Sequence, residues 1–152
     1  MAEDGMHFLI IDSPYYAEIA EELLAGATEA LAAAGATHDR ISVPGVLEIP
    51  AALSMATLAS ENDGTEYAGY VLLGCVIRGE TSHYDIVANE SARAIMSMSV
   101  DEVLAVGNGI LTVNNADQAW VRAKRDQKNK GGVAAEAALQ MARLKNKLGV
   151  FV

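Results

Sequence analysis

The sequence predicts an α/β fold of three layers, in which a four-stranded parallel sheet carries helices on both faces. Short apolar runs rich in β-branched or aromatic residues alternate with stretches at helical spacing, the mark of βαβ units. Parallel strands joined in this way need right-handed crossovers, which place helices on both sides of the sheet. With 152 residues and 51% hydrophobic content the chain can bury a core, expected as one domain over residues 1–152.

His7 to Asp12 reads as the first strand. A helix follows from about Tyr15, with Ile19, Leu23, Ala27, Leu31 and Ala34 on one face and Gly35 as its stop. His38 to Val43 is the expected second strand. After a loop from Pro44 to Pro50, a helix covers about Ala51 to Ser60 and ends in the polar turn Glu61 to Glu66. Tyr70 to Leu73 forms the third strand, and Tyr84, Val87, Ser91, Ala94 and Met98 mark the apolar face of the next helix. Glu102 to Val106 is expected as the fourth strand, with Gly107-Asn108-Gly109 at its carboxyl end. Asn114 or Asn115 caps a helix running to about Arg125, and Val133, Ala137, Met141, Leu144 and Leu148 give the last helix its apolar stripe.

Composition removes several function classes. A net charge of −9 is wrong for a nucleic-acid surface, which needs clustered Lys and Arg, so an anionic substrate must be captured locally. No apolar run approaches the roughly 18 residues of a membrane span. Cys75 stands alone and cannot form an internal disulfide, and Met1 to Gly5 lack the basic and apolar regions of a signal peptide; a cytoplasmic location is expected. His7, His38 and His83 are spread over separate elements without metal-ligand spacing. Gly107-Asn108-Gly109-Ile110-Leu111-Thr112 lacks the last glycine of a dinucleotide fingerprint, and no Gly-Lys-Ser/Thr phosphate loop occurs.

In a parallel α/β sheet, ligands bind where the strands' carboxyl ends meet. The segments delivered there are Ser13 to Tyr16, Pro44 to Pro50, Gly74 to His83 and Gly107 to Asn114. Gly79 lets backbone approach a ligand, and the first N–H groups of the following helix lack intrahelical partners, which suits an anion. His83 beside that anion is a credible proton carrier near neutral pH. Tyr15-Tyr16 offers a ring for stacking, or equally a Tyr packed over a helix end. Glu48, between two prolines, suits hydroxyl groups, or else serves as an acid at a helix N-terminus. Cys75 is either a thiol within reach of a His base or a small buried hydrophobe. Arg122 and Lys130 are cations for a phosphate, or members of a solvated charged linker; spacing does not say which cation points inward.

In their order and spacing, Pro44-Gly45-Val46-Leu47-Glu48-Ile49-Pro50, Gly74-Cys75-Val76-Ile77-Arg78-Gly79-Glu80-Thr81-Ser82-His83-Tyr84-Asp85, Asn89-Glu90, Gly109-Ile110-Leu111-Thr112, Gln118-Ala119, Arg122-Ala123 and Lys130-Gly131 resemble the lumazine synthase family over nearly the whole chain. The resemblance implies a sheet in flavodoxin-like order. It also implies condensation of 5-amino-6-(D-ribitylamino)uracil with 3,4-dihydroxy-2-butanone 4-phosphate to 6,7-dimethyl-8-ribityllumazine, with no cofactor or metal. On this pattern Tyr15 stacks on the pyrimidine, and Val46, Leu47 and Glu48 contact the uracil and ribityl chain. Cys75, Val76 and Ile77 line the other side. Glu80 and Thr81 lie in the phosphate loop, His83 carries the proton, and Arg122, with Lys130 nearby, holds the phosphate.

Three positions depart from the family's pattern. Glu80 brings a negative charge to a phosphate site, so its backbone N–H is expected to bind while the side chain turns to solvent or to Arg78. Asn108 stands where many members carry an aromatic that covers the ring from the neighbouring subunit, and Tyr16 where an Asn is frequent. Pentamers with shared pockets are implied, Arg122 and Asn108 reaching the neighbour's His83. The segment Lys124 to Lys130 lacks the glycine-containing kink of the family's shells, which favours free pentamers. The alternative is a catalytically weak lumazine- or flavin-binding protein on the same fold.

Overall fold

The computed structural model describes residues 5–150. Its elements are β1 (His7–Asp12), α1 (Ala17–Ala33), β2 (Thr37–Ser42), a short 3-10 turn (Val46–Glu48), α2 (Ile49–Glu61), β3 (Gly69–Ile77), α3 (His83–Asp101), β4 (Val106–Val113), α4 (Ala116–Ala123) and α5 (Lys130–Leu148). The four strands are all parallel in the order β2-β1-β3-β4. This is the predicted three-layer α/β sandwich.

Side-chain alternation along the inner strands divides the core in two. Phe8, Ile10, Val71, Leu73 and Leu111 face α1, α4 and α5, whereas Leu9, Ile11, Tyr70, Leu72 and Val76 face α2 and α3. β3 is sandwiched between both layers and is buried from Gly69 to Val76, which is why it reads as an unbroken apolar run. β2 is exposed along its length, and its His, Asp and Arg side chains mark a protected edge. α1 buries Ile19, Leu23, Ala27 and Leu31 as expected, and the chain leaves it through Gly35 at φ 77°.

The second and third helices and the third strand depart only at their boundaries. α2 starts at Ile49 with Pro50 in its first turn, so the expected loop is shorter, and β3 continues through Cys75 and Val76 to Ile77.

The fourth strand is displaced. α3 runs to Asp101, and Val103 then takes a left-handed φ of 56° that closes the helix while the Leu104 N–H donates to Ser99 O at 3.0 Å. β4 therefore begins at Val106, and Gly107-Asn108-Gly109 lies inside it rather than past its end. A short apolar run next to a helix end carries no periodicity that could have separated turn from strand.

The last helix is rotated from its expected stripe. α5 buries Gly131, Gly132, Ala134, Ala135, Ala138, Leu139 and Ala142, and Val133, Met141, Leu144 and Leu148 stay exposed. Close approach decides this: a Cβ on Gly107 would lie 1.8 Å from the Ala134 carbonyl oxygen, so the helix rests on bare backbone and only small residues fit beneath it.

Candidate functional site

At the carboxyl edge, β1 ends in buried Asp12, whose Oδ2 accepts from Arg40 Nε and Nη2 at 3.1 and 2.8 Å and whose Oδ1 accepts from Ser42 Oγ at 2.6 Å. A buried carboxylate satisfied on both oxygens fixes the ends of β1 and β2 against each other. The Ser13 N–H donates to Leu73 O at 3.0 Å and carries the chain out toward Tyr15. Tyr15 is 74% exposed and meets Tyr16 edge to face at 5.0 Å, leaving a face of its ring open. Tyr16 turns inward, and burial raises its phenol pKa, with Cys75 a smaller contributor.

The 3-10 turn seats on β3 through Val46, whose Cγ2 fills the space above Gly74. Val46 is buried, and Leu47 and Glu48 are exposed. Because Cys75, Val76 and Ile77 lie in a strand, their side chains alternate: Cys75 and Ile77 go to the α1 side and Val76 to the α2 side. Burial pushes the Cys75 thiol up to about 11, so it is a neutral core group and not a thiolate nucleophile.

After Ile77 the chain opens. Glu80, Thr81 and His83 are all exposed, and a Cβ on Gly79 would meet nothing within 4 Å. Thr81 Oγ1 accepts from the His83 N–H at 3.2 Å, satisfying the first free N–H of α3, whose N-cap Ser82 makes no side-chain bond, and His83 is the first residue of the helix. Arg78 is the organiser here, and its role was not read from the sequence. Its Nε donates to Asn114 Oδ1 at 3.1 Å, its Nη1 lies 3.5 Å from Asp85 Oδ1, and its guanidinium sits 4.1 Å above the Tyr84 ring. It ties the β3–α3 connection to the end of β4, and Glu80 is exposed, in keeping with the first of the two places expected for its side chain, solvent or Arg78.

β4 hands over to α4 through Asn114 and Asn115. The Asn115 side chain accepts from the Gln118 N–H at 2.9 Å, and Gln118 Oε1 accepts from the Asn114 N–H at 2.7 Å, a reciprocal cap that selects Asn115 of the two asparagines. Arg122 is half-buried in the last turn of α4, where its charge suits the helix dipole, and its Nη1 donates to Gln118 O at 3.1 Å. Lys130 is exposed as the first residue of α5, the end where a helix repels a cation and attracts an anion.

One chain brings some of these residues together and keeps others apart. Tyr15, the 3-10 turn and the connection from Gly79 to His83 share the carboxyl edge. α3 packs with the α2 layer through Val87 and Ile95, whereas α4 packs with the α1 layer through Ala119 and Ala123, so His83 and Arg122 stand on helices of opposite faces. Asn108 pairs with Leu72 in mid-strand, its Oδ1 accepting from the Ile110 N–H at 2.9 Å. At about 3.3 Å per residue it lies roughly 16 Å short of the edge where Val113 ends β4. A small pocket at the carboxyl edge is lined by Asp12, Ser13, Tyr16, Gly74 and Cys75, and a cavity of about 670 Å³, lined by Tyr67, Glu102, Lys145 and others, opens at the amino edge.

Among the described residues no group of three or more His, Cys, Asp or Glu is placed to hold a metal ion, and no helix is long and apolar enough to cross a membrane. A family model described as 6,7-dimethyl-8-ribityllumazine synthase matches residues 5–146. Similar proteins include 6,7-dimethyl-8-ribityllumazine synthase of Agrobacterium fabrum, 59% identical over 94% of this chain and 97% of the relative. Another is 6,7-dimethyl-8-ribityllumazine synthase 1 of Rhizobium meliloti, at 58% over 95% and 94%. The enzyme of Bartonella tribocorum is 57% identical over 94% and 92%.

Proposed function

The chain belongs to the 6,7-dimethyl-8-ribityllumazine synthase family, and we propose that it is a working transferase of riboflavin biosynthesis, joining 5-amino-6-(D-ribitylamino)uracil to 3,4-dihydroxy-2-butanone 4-phosphate. The observation that carries the reading is the open carboxyl edge, where an exposed Tyr15 ring, an exposed Glu48 and a His83 at the start of α3 stand together.

Tyr15 stacks on the pyrimidine, Leu47 and Glu48 contact the ribityl chain, and Val46, Cys75, Val76 and Ile77 offer backbone groups and a closed floor. The amine of the uracil adds to the butanone carbonyl, water leaves to give a Schiff base, phosphate departs by elimination, and the ring closes with loss of a second water. His83 moves protons between these steps. Glu80 and Thr81 present backbone to the phosphate, and Arg122 and Lys130 neutralise it. Holding the reactants in place can supply roughly 7–11 kcal/mol against roughly 3–5 for proton transfer, so positioning dominates. No cofactor takes part.

Two features support a site shared between subunits: His83 and Arg122 stand on helices that pack on opposite faces of the sheet, and Met55, Leu58, Ile86, Met96 and Val100 leave large apolar side chains exposed on α2 and α3. The assembly is a pentamer, in which Arg122, Lys130 and Asn108 complete the neighbour's site. The glycine-free connection from Lys124 to Lys130 favours free pentamers over a shell. The single buried Cys75 suits a cytoplasmic enzyme.

Mixing the purified protein with both substrates should produce the absorbance and fluorescence of the lumazine, and light scattering should give five chains per particle. Tight lumazine binding without turnover would refute the catalytic reading.

A further inference from the structure

The connection between α4 and α5 is held by a device that the reaction's named residues do not use. Arg125 reaches back across 103 positions to α1. Its Nη2 donates to Glu22 Oε2 at 3.1 Å, and its Nε and its own backbone N–H both donate to Glu22 Oε1, at 3.3 and 3.1 Å. Its Nη1 donates to Glu29. Because the backbone N–H is gripped as well as the guanidinium, the carboxylate fixes the path of the chain and not only a side chain.

The rest of the connection is bound to the same face of α1. A Cβ on Gly26 would come within 2.3 Å of Asn129 Oδ1, and one on Gly131 within 2.0 Å of Leu23 O. Asn129 takes a left-handed φ of 46° and caps α5 by accepting from the Gly132 N–H at 3.3 Å. Within the loop, the Gln127 and Asn129 N–H groups both donate to Lys124 O at 3.0 Å, and the Lys128 N–H donates to Val121 O at 3.1 Å. Arg122 lies three residues before Arg125, and Lys130 immediately follows Asn129. The two cations thus flank a loop anchored to the helix that starts beside Tyr15.

We infer that Arg125, clamped by Glu22 and Glu29, is a positioning residue for the phosphate-bearing substrate, holding Arg122 and Lys130 at a fixed separation and orientation. The inference rests on the assignment of those two cations to the phosphate. A guanidinium engages two carboxylates at once through its planar fork, which a lysine ammonium does not reproduce. Removing the clamp leaves both cations charged and lets their location drift, so the loss falls on the phosphate substrate alone.

Steady-state kinetics on the assembled enzyme test this with Arg125→Ala, Arg125→Lys, Glu22→Gln and, as a reference, Arg122→Ala. Arg125→Ala should raise the KM for the butanone phosphate and the inhibition constant of inorganic phosphate together by about tenfold, a loss of about 1.4 kcal/mol in phosphate binding. The KM for ribitylaminouracil and kcat should stay within about twofold, as for an ordinary surface ion pair, and Arg125→Lys should recover part of the loss. The inference is overturned if Arg122→Ala raises the phosphate KM and Arg125→Ala does not, which would leave the site assignment intact. It is also overturned if all constants worsen together with the melting temperature. If neither variant changes the phosphate KM, the cation assignment itself fails and takes the inference with it. Should Arg125→Ala not fold, Glu22→Gln is measured in the same way, and the same changes in its constants support or overturn the inference.

Discussion

Gly107-Asn108-Gly109 in β4 and the connection from Gly79 to His83 both set glycine close to a strand and polar groups beside it, but the fold closes over the first and leaves the second open. Above Gly107 the α5 backbone lies so near that an added Cβ would be 1.8 Å from a carbonyl oxygen, and above Gly109 it would be 2.9 Å from the Ala134 Cβ. Around Gly79 an added Cβ would meet nothing within 4 Å, and Glu80, Thr81 and His83 beside it are exposed. Glycine in the first case lets two elements of one chain touch. In the second, no contact inside the chain asks for it, which leaves approach by something else.

The sharpest way to break that contrast is substitution at the two glycines. Gly107→Ala should cost about 3 kcal/mol or more, at or beyond the upper end of overpacking penalties because the obstructing atom is backbone, and denaturant unfolding would read it. A loss under about 1 kcal/mol would mean that α5 lifts away easily. His83→Ala should leave stability nearly untouched and lower kcat by about 10²-fold while measurable activity survives, as expected where positioning outweighs proton transfer. Unchanged kcat would remove His83 from the chemistry.

Cys75 sharpens the comparison from the buried side. Its thiol is raised to about 11 because burial disfavours the thiolate, so alkylation of the native protein by iodoacetamide should be slow at pH 8 and accelerate only as the pH approaches that value. Labelling at the rate of a free thiol near pH 8 would show the floor of the site to be open. Gly79→Ala should also disturb folding little: since its φ lies outside the left-handed region, stability should shift by less than about 1 kcal/mol. A few-fold rise in the phosphate KM would show that the ligand needs the bare backbone there.

Much of the architecture was legible because period and punctuation agree. β1 is bounded where the apolar run stops, α1 buries Ile19, Leu23, Ala27 and Leu31 and ends at a left-handed Gly35, and Asn115 caps α4. The candidate site residues were legible as types in order. The structural roles of Arg78, Gln118 and Arg125 were not, since their partners at Asn114 and Asp85, at the Asn114 N–H, and at Glu22 and Glu29 come from separate elements or from backbone groups that no residue type announces. The α5 stripe misled for a related reason: Val133, Met141, Leu144 and Leu148 have the hydrophobicity of a core face, but the surface beneath accepts only glycine and alanine.

The order of residues was enough for the layered α/β class, the parallel sheet and the residues available at its carboxyl edge, since side-chain periodicity and local caps act within a few residues. Packing of the whole chain settled which glycines serve close contact, which face of α5 lies down, and that His83 and Arg122 stand on helices of opposite faces. Those outcomes depend on how closely two backbones can approach and on pairings between distant positions, quantities set by the assembled fold and by no local pattern.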